Sequence, residues 1–286
     1  MDGSRARFLR RRSINNPWPR PGLPRSTGRR SNIVEHQKRV QAQSMSRSPS
    51  LRLRAEGQGG HQSKMICVSI MARNNFEVLR KMDAAAQSAD MMEIRLDVLE
   101  TFDLNEIIRR APKPILATYR SKREGGEGSD DYRTRVRHLI DAMEAGVDLV
   151  DVEFSLLPEF RQEVLQYPSA CGHVVSAHLL NGTPSQERLE DVFVKMAATG
   201  ANIVKIVTWA SAWEDNFRVL ELIPKARATG MKIIAFCMGP LGRISRIACP
   251  LMGGHMTFAS LEKGQESASG QIPAPDMKKI LEILSR

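Results

Sequence analysis

His173–Trp209 reads HVVSAHLLNGTPSQERLEDVFVKMAATGANIVKIVTW. Its opening HVVSAHL and closing NIVKIVTW are apolar and rich in β-branched side chains, the composition of buried strands. Between them, QERLEDVFVKMAATG places apolar residues at helical spacing and closes on Gly200, a residue suited to the turn beyond a helix C-terminus. Strand, helix and strand in so short a segment make one unit of a parallel sheet. Lys205 stands in the middle of the second apolar run. Lysine is seldom buried without a partner, so this one must be paired or used.

The same unit repeats on both sides. Strand-length runs occur at MICVSIM (65–71), MMEIRLDVL (91–99), PILATYR (114–120), DLVDVEF (148–154), HVVSAHL (173–179), NIVKIVTW (202–209), KIIAFCMG (232–239) and HMTFASL (255–261). Amphipathic stretches separate most of them, including NFEVLRKMDAAAQSA, TRVRHLIDAMEAG and NFRVLELIPKARATG, and Gly146 and Gly230 close two of these as Gly200 closes the third. Eight strands alternating with helices predict an α/β chain folded as a (β/α)8 TIM barrel over residues 65–286. An open doubly wound sheet is the structural alternative, but no GxGxxG follows any strand.

The formal charge of +10 is not spread over this repeat. Residues 1–64 carry 15 Lys and Arg against Asp2, Glu35 and Glu56, whereas residues 65–286 hold 27 basic and 29 acidic residues. The first segment, with SRARFLRRRS, PWPRPGLPRS and SMSRSPSLRLR, lacks periodicity and reads as a disordered basic extension. It fits an organellar leader, a nucleic-acid-binding arm or translation from a start upstream of Met65, the last being preferred. No run has the length of a membrane span. Cys67, Cys171, Cys237 and Cys249 form no CxxC pair and read as buried thiols of a cytoplasmic protein, and the six histidines show no metal-binding spacing.

The exceptions to the apolar pattern carry the chemistry. Alternation in MMEIRLDVL sets Glu93, Arg95 and Asp97 on one face and Ile94, Leu96 and Val98 on the other. The same rule turns Thr118 and Arg120, Asp151 and Glu153, Ser176 and His178, and Lys205 into the barrel. Burying so many ionisable groups is costly unless they pair or react. Asp97, Asp151 and Glu153 read best as counter-ions, and a lone strand-end histidine is more often a hydrogen-bonded core residue than a catalyst. Convergence at the carboxyl ends of several strands, where barrel enzymes keep their sites, favours function.

A buried lysine beside arginines has its charged form disfavoured by desolvation and by like charge, and a neutral amine attacks ketones and aldehydes to form a Schiff base. A nearby histidine can then move the proton that the imine acidifies. Arg95, Arg120 and Arg246 suit a carboxylate-bearing small molecule.

These motifs resemble type I 3-dehydroquinate dehydratase, and the resemblance covers residues 65–286. EIRLD is similar to the Glu-x-Arg-x-Asp of the family's second strand, which implies Glu93 and Arg95 at the substrate. TYRSKREGGEG resembles Thr-Phe-Arg-Ser-x-x-Glu-Gly-Gly, implying Arg120 as a substrate ligand and Glu124 as the partner that orients the catalytic His178 of SAHLLNGTP. NIVKIV implies Lys205 as the Schiff-base lysine. CMGPLGRISR resembles the signature whose last Arg, here Arg246, binds the substrate carboxylate, with Arg243 a weaker neighbour. SASGQIP implies Ser267 and Gln271 on a lid over the substrate. Leu179 and Leu180 stand where the family often has a polar residue and an aromatic, and Tyr119 where Phe is common.

The resemblance implies dehydration of 3-dehydroquinate in the shikimate pathway, with no cofactor or metal, no nucleic-acid or membrane partner, and a homodimer. A class I aldolase acting on a sugar or keto acid would share Lys205 but not the set Glu124, Arg246, Ser267 and Gln271. A nucleic-acid-binding protein acting through residues 1–64 is the rival from another class, with few aromatics among its basic residues to stack on bases.

Overall fold

Each of the eight apolar runs contains a strand. In the computed structural model, which describes residues 64–286, these are β1 (Met65–Ile70), β2 (Met91–Arg95), β3 (Ile115–Thr118), β4 (Leu149–Glu153), β5 (Gly172–Leu179), β6 (Ile203–Trp209), β7 (Lys232–Met238) and β8 (Met256–Ser260). The expectations for the basic extension fall outside the described residues. Neighbouring strands pair in parallel and in chain order from β1 to β7, and β8 returns to β1 with Met65 opposite Met256 and Ser69 opposite Ser260. Where the ring closes between β7 and β8, the His255 N–H donates to the Ile233 carbonyl at 2.7 Å. The result is a nearly closed (β/α)8 barrel.

The outer layer consists of α1 (Asn75–Ala85), α2 (Leu104–Arg110), α3 (Tyr132–Ala145), α4 (Pro158–Leu165), α5 (Gln186–Ala197), α6 (Glu214–Leu220), α7 (Leu222–Ala228), α8 (Arg243–Leu251) and α9 (Ala274–Ile283). Helix α5 shows why these segments wind and dock. The Ser185 hydroxyl caps its N-terminus by accepting the Arg188 N–H, and Leu189, Val192, Phe193 and Met196 form the i, i+3, i+4, i+7 stripe it buries. Each such side chain contributes about 1.5–3 kcal/mol by leaving water, so Leu189→Ala would cost about 2–5 kcal/mol once its cavity is counted.

Two expectations about elements need correction. NFRVLELIPKARATG forms two helices, α6 and α7, which meet at Glu221. Pro224 has no N–H for the Leu220 carbonyl, and its ring crowds that carbonyl, which interrupts the helical hydrogen-bond run at this point. Strand β2 ends at Arg95, leaving Asp97 in a turn, and β3 ends at Thr118, two residues before Arg120. In an extended strand, residues two apart lie roughly 7 Å from each other. The turn instead brings Arg95 Nη2 to 2.6 Å from Asp97 Oδ2.

All four cysteines are buried and unpaired. Among the described residues no helix is long and apolar enough to cross a membrane.

Candidate active site

The barrel interior is layered with charge toward the carboxyl ends of the strands. Strand pairing sets Ser69 of β1 beside Glu93 of β2, and the Ser69 hydroxyl donates to Glu93 Oε2 at 2.6 Å. From the other side Thr118 Oγ1 donates to Glu93 Oε1 at 2.9 Å. Across the barrel, Ser176 of β5 is level with Lys205 of β6, and both reach Asp151 of β4, with Lys205 Nζ 3.2 Å from Oδ2. Glu93 Oε1 is the next carboxylate, 3.9 Å from Nζ. The Lys205 ammonium also sits 3.9 Å from the centroid of the Phe258 ring on β8.

These distances correct one expectation. The groups in contact with Nζ are carboxylates and an aromatic face, and Arg120 meets Lys205 only across the Asp151 Oδ2 that both share, so the anion stands between the two cations. Lys205 is 4% exposed, so an unpaired charge here would be expensive. Asp151, buried between Arg120 and Lys205, keeps its carboxyl well below the usual range despite the burial that acts against it.

Arg120 is the hub. Its Nη2 lies 2.9 Å from Asp151 Oδ2, and its Nη1 lies 3.0 Å from Glu153 Oε1 and 3.4 Å from Glu124 Oε2. Glu124 ends a short 3-10 turn (Lys122–Glu124) closed by Gly125 at φ 84°. Gly126 follows so tightly that a Cβ there would stand 2.2 Å from the Arg120 carbonyl oxygen. This turn aims Glu124 at His178, whose backbone N–H and Nδ1 both lie 3.0 Å from Oε2. With Nδ1–H held by the carboxylate, Nε2 is the nitrogen left to accept a proton. Burial, then the nearby Arg120 and Lys205 charges, pushes the His178 imidazole well below its usual range, so it rests neutral at neutral pH. Burial pushes the Glu124 carboxyl up, and Arg120 pulls it back.

Arg246, at the end of the first turn of α8, is different from the other arginines. It is 1% exposed, and among the described residues no carboxylate pairs with it. Its guanidinium lies 4.5 Å from the Phe236 ring centroid, its Nη2 donates to the Ser269 carbonyl at 3.3 Å, and its Nε has no partner. Burial brings its pKa down to about 10. Ser269 belongs to the loop after β8, which also carries Ser267 and Gln271. The Ser267 N–H donates to Gln271 Oε1 at 2.8 Å, and Gln271 Nε2 reaches Ser69 Oγ at 3.5 Å. The loop is fastened to the β7 end where the Gly239 N–H donates to the Ser269 carbonyl at 3.2 Å.

The structure thus gathers Glu93, Arg120, Glu124, His178 and Lys205 into one buried cluster. Gln271 touches it through Ser69, while Ser267 touches it only through Gln271. Arg95 is held by Asp97 at the rim and lies close enough to act on His178 electrostatically. Arg243 is exposed. Sequence reasoning missed Phe258, Phe236 and Ser69, which look like ordinary strand residues. It also missed Arg135, which did carry a signal, since it occupies the apolar stripe of α3 with Leu139, Ala142 and Met143. Among the described residues no His, Cys, Asp and Glu groups converge as metal ligands would.

A lysine, a histidine held by a carboxylate and an unpaired buried arginine are the means for imine chemistry with proton transfer on an anionic carbonyl compound. The sequence profile described as type I 3-dehydroquinase matches residues 66–286. The bifunctional 3-dehydroquinate dehydratase/shikimate dehydrogenase of Arabidopsis thaliana, a chloroplastic protein, is 38% identical over 227 residues, covering 77% of this chain and 36% of the relative. The chain thus spans about a third of that two-function protein. It spans 96% of the 3-dehydroquinate dehydratase of Syntrophobacter fumaroxidans, with 35% identity over 77% of its own length. Among solved structures, the type I 3-dehydroquinate dehydratase of Clostridium difficile with covalent modified comenic acid superposes with a TM-score of 0.71 at 26% identity, covering 79% of this chain and 93% of that one. The eight-stranded barrel, its charged interior and these likenesses agree: the chain belongs to the type I 3-dehydroquinase family.

Proposed function

We propose that the chain dehydrates 3-dehydroquinate to 3-dehydroshikimate, a step of the shikimate pathway, through a Schiff base on Lys205. The observation that carries this reading is the His178–Glu124 pair, which presents a neutral imidazole on the strand next to that of buried Lys205 and within reach of its charge. In this reading Lys205 Nζ adds to the ketone of the substrate, and the proton it gives up is carried by His178 to the ketone oxygen, which leaves as water and yields a protonated imine. The imine acidifies the adjacent carbon, and His178 Nε2 takes the proton from it while Glu124 holds Nδ1–H. The electron pair left behind expels the β-hydroxyl, which departs as water with the proton His178 had taken. A second water hydrolyses the imine, and the net change is the loss of one water.

Arg246 supports a carboxylate on the substrate. Among the described residues it is a buried cation without an internal anion, whereas Arg95 and Arg120 are each satisfied by carboxylates of the barrel. Ser267 and Gln271 would hydrogen-bond substrate hydroxyls from the lid, and Glu93 and Arg120 would do so from the floor.

Borohydride reduction during incubation with 3-dehydroquinate, followed by peptide mapping, tests the reading. A reduced adduct on Lys205, absent in Lys205→Ala, together with formation of 3-dehydroshikimate, is the expected result. Folded protein that leaves 3-dehydroquinate unchanged but cleaves an aldol would point to an aldolase instead. We read residues 65–286 as the whole catalytic unit, in keeping with the family match over 66–286, so removal of residues 1–64 should leave kcat unchanged. A homodimer and a cytoplasmic location are proposed from the family resemblance. Light scattering reads the first, and a fluorescent fusion of the full chain separates the second from the chloroplast named for the plant relative.

A further inference from the structure

Arg135 touches none of the groups assigned to the reaction, yet its side chain is among the most deeply buried of the barrel, at 2% exposure. It projects from the first turn of α3, where its Nη2 donates to Glu153 Oε2 and, at 3.2 Å, to Ser155 Oγ. Its guanidinium also lies 5.6 Å from the Tyr132 ring centroid. The other oxygen of Glu153 faces the barrel interior. There Oε1 accepts from Arg120 Nη1 at 3.0 Å and from the Ser121 N–H at 2.9 Å. Glu153 therefore bridges an arginine of the outer helix layer and the arginine at the hub of the site.

Charge explains why the bridge is needed. The carboxylates of Glu124, Asp151 and Glu153 all converge on Arg120, and Lys205 answers chiefly Asp151. Glu153 is faced by Arg120 and Ser121 from the segment after β3, by Glu124 from the following turn and by Arg135 from α3. Burial and the Glu124 charge push its carboxyl up, and Arg120 and Arg135 oppose them. Without Arg135, Glu153 and Glu124 would compete for one side of a single guanidinium. Arg120 would turn toward Glu153 or Glu153 would take a proton, and in either case the support behind Glu124 would change. The Ser155 hydroxyl, which Arg135 also holds, acts on Glu124 as well.

We propose that Arg135 is a positioning residue for the reaction. By gripping Glu153 from outside the barrel it fixes Arg120, and through Arg120 it fixes the Glu124 that orients His178. The kinetic side of this inference rests on the dehydratase reading, and its structural side does not.

The test compares full-length protein with Arg135→Met and Arg135→Lys. In Arg135→Met, kcat for 3-dehydroquinate should fall about tenfold to a hundredfold, the scale of a small misplacement of a catalytic group. KM should stay within about threefold, because Arg135 itself reaches no substrate and Arg120 keeps Asp151 as a second anchor. The acid limb of the kcat profile should move to higher pH, because Glu153 and Glu124 lose a cation and take protons sooner. Arg135→Lys keeps the charge but not the two-point grip, and its kcat should lie between the other two. Wild-type kcat and acid limb in Arg135→Met, or a raised KM at unchanged kcat, would overturn the proposal. If Arg135→Met does not fold, Arg135→Lys decides: an intermediate kcat with wild-type KM sustains it, and a wild-type kcat overturns it. If wild-type protein leaves 3-dehydroquinate untouched, the dehydratase reading fails, and the NMR titration of the His178 imidazole then tests Arg135 without substrate. A displacement of about half a pH unit or more in the variant, a substantial differential interaction, supports positioning, and coincident curves overturn it.

Discussion

An arginine that is buried without a carboxylate is a stability cost, and Arg246 is such a residue. Burial lowers its pKa to about 10, and the Phe236 face and one carbonyl are its compensation. The proposed substrate carboxylate would complete it. Arg246→Met should therefore separate two properties that most substitutions change together. Removing the cation and keeping the apolar volume should raise the unfolding free energy by about 1–3 kcal/mol. Losing the charge-assisted pair should raise KM by about a hundredfold. Urea denaturation and steady-state kinetics on one preparation check both, and a variant that is destabilised would show that Arg246 has an internal anion. His178 gives a second expectation at this scale. Glu124→Gln retains the shape of the side chain but replaces the anion that holds Nδ1–H, so kcat should drop about a hundredfold or more, in the range of general-base loss, with little change in KM.

The loop after β8 is fixed at one contact that leaves no room for a side chain. Gly270 lies at φ 83°, and a Cβ there would stand 2.3 Å from the Gly239 carbonyl oxygen. Gly270→Ala cannot keep both the left-handed backbone and this approach. The loop would lift from Gly239, and the Ser269 carbonyl would be withdrawn from Arg246. The expected outcome is a raised KM and a lowered kcat with an unchanged circular dichroism spectrum, since the barrel strands do not depend on this contact. Normal kinetics in Gly270→Ala would show that the closed loop is not needed. Element boundaries show where sequence patterns stop being informative. Period-two and period-3.6 signals located the strands and most helices because core and solvent faces impose them. Where β2 and β3 end is decided instead by ion pairs, Arg95 with Asp97 and Arg120 with its three carboxylates, which form only once the barrel has closed. The partners of Lys205 were unreadable for the same reason: alternation turns it inward, but only strand order says that Asp151 and Phe258 meet it there.

For the molecule as a whole, the charged interior makes stability a function of pH, and the contributions differ in sign. Asp97 and Asp151 are held below the usual carboxylate range by Arg95 and Arg120 against the burial that raises them, so the stability they confer is lost below about pH 4. Glu124 and Glu153 have raised values, so the native state binds more protons than the unfolded chain above the usual glutamate range, and their contribution falls as pH rises there. Three histidines act the other way. Burial, then the Lys232 charge, brings His255 down to about 4, and its Nε2 is buried without a partner. Between that value and the ordinary histidine value of about 6.5 the unfolded chain binds the extra proton, so stability rises with pH across the window and is lost as pH falls through it. His178 and His173 shift in the same direction. His255 lies outside the reactive cluster, so it isolates the effect. His255→Asn should remove about 2–3 kcal/mol of the difference in unfolding free energy between pH 7 and pH 4 and leave the dehydration assay at pH 7 unchanged. Urea titrations of both proteins at the two pH values measure it, and equal pH differences would show that His255 is hydrated in the native state.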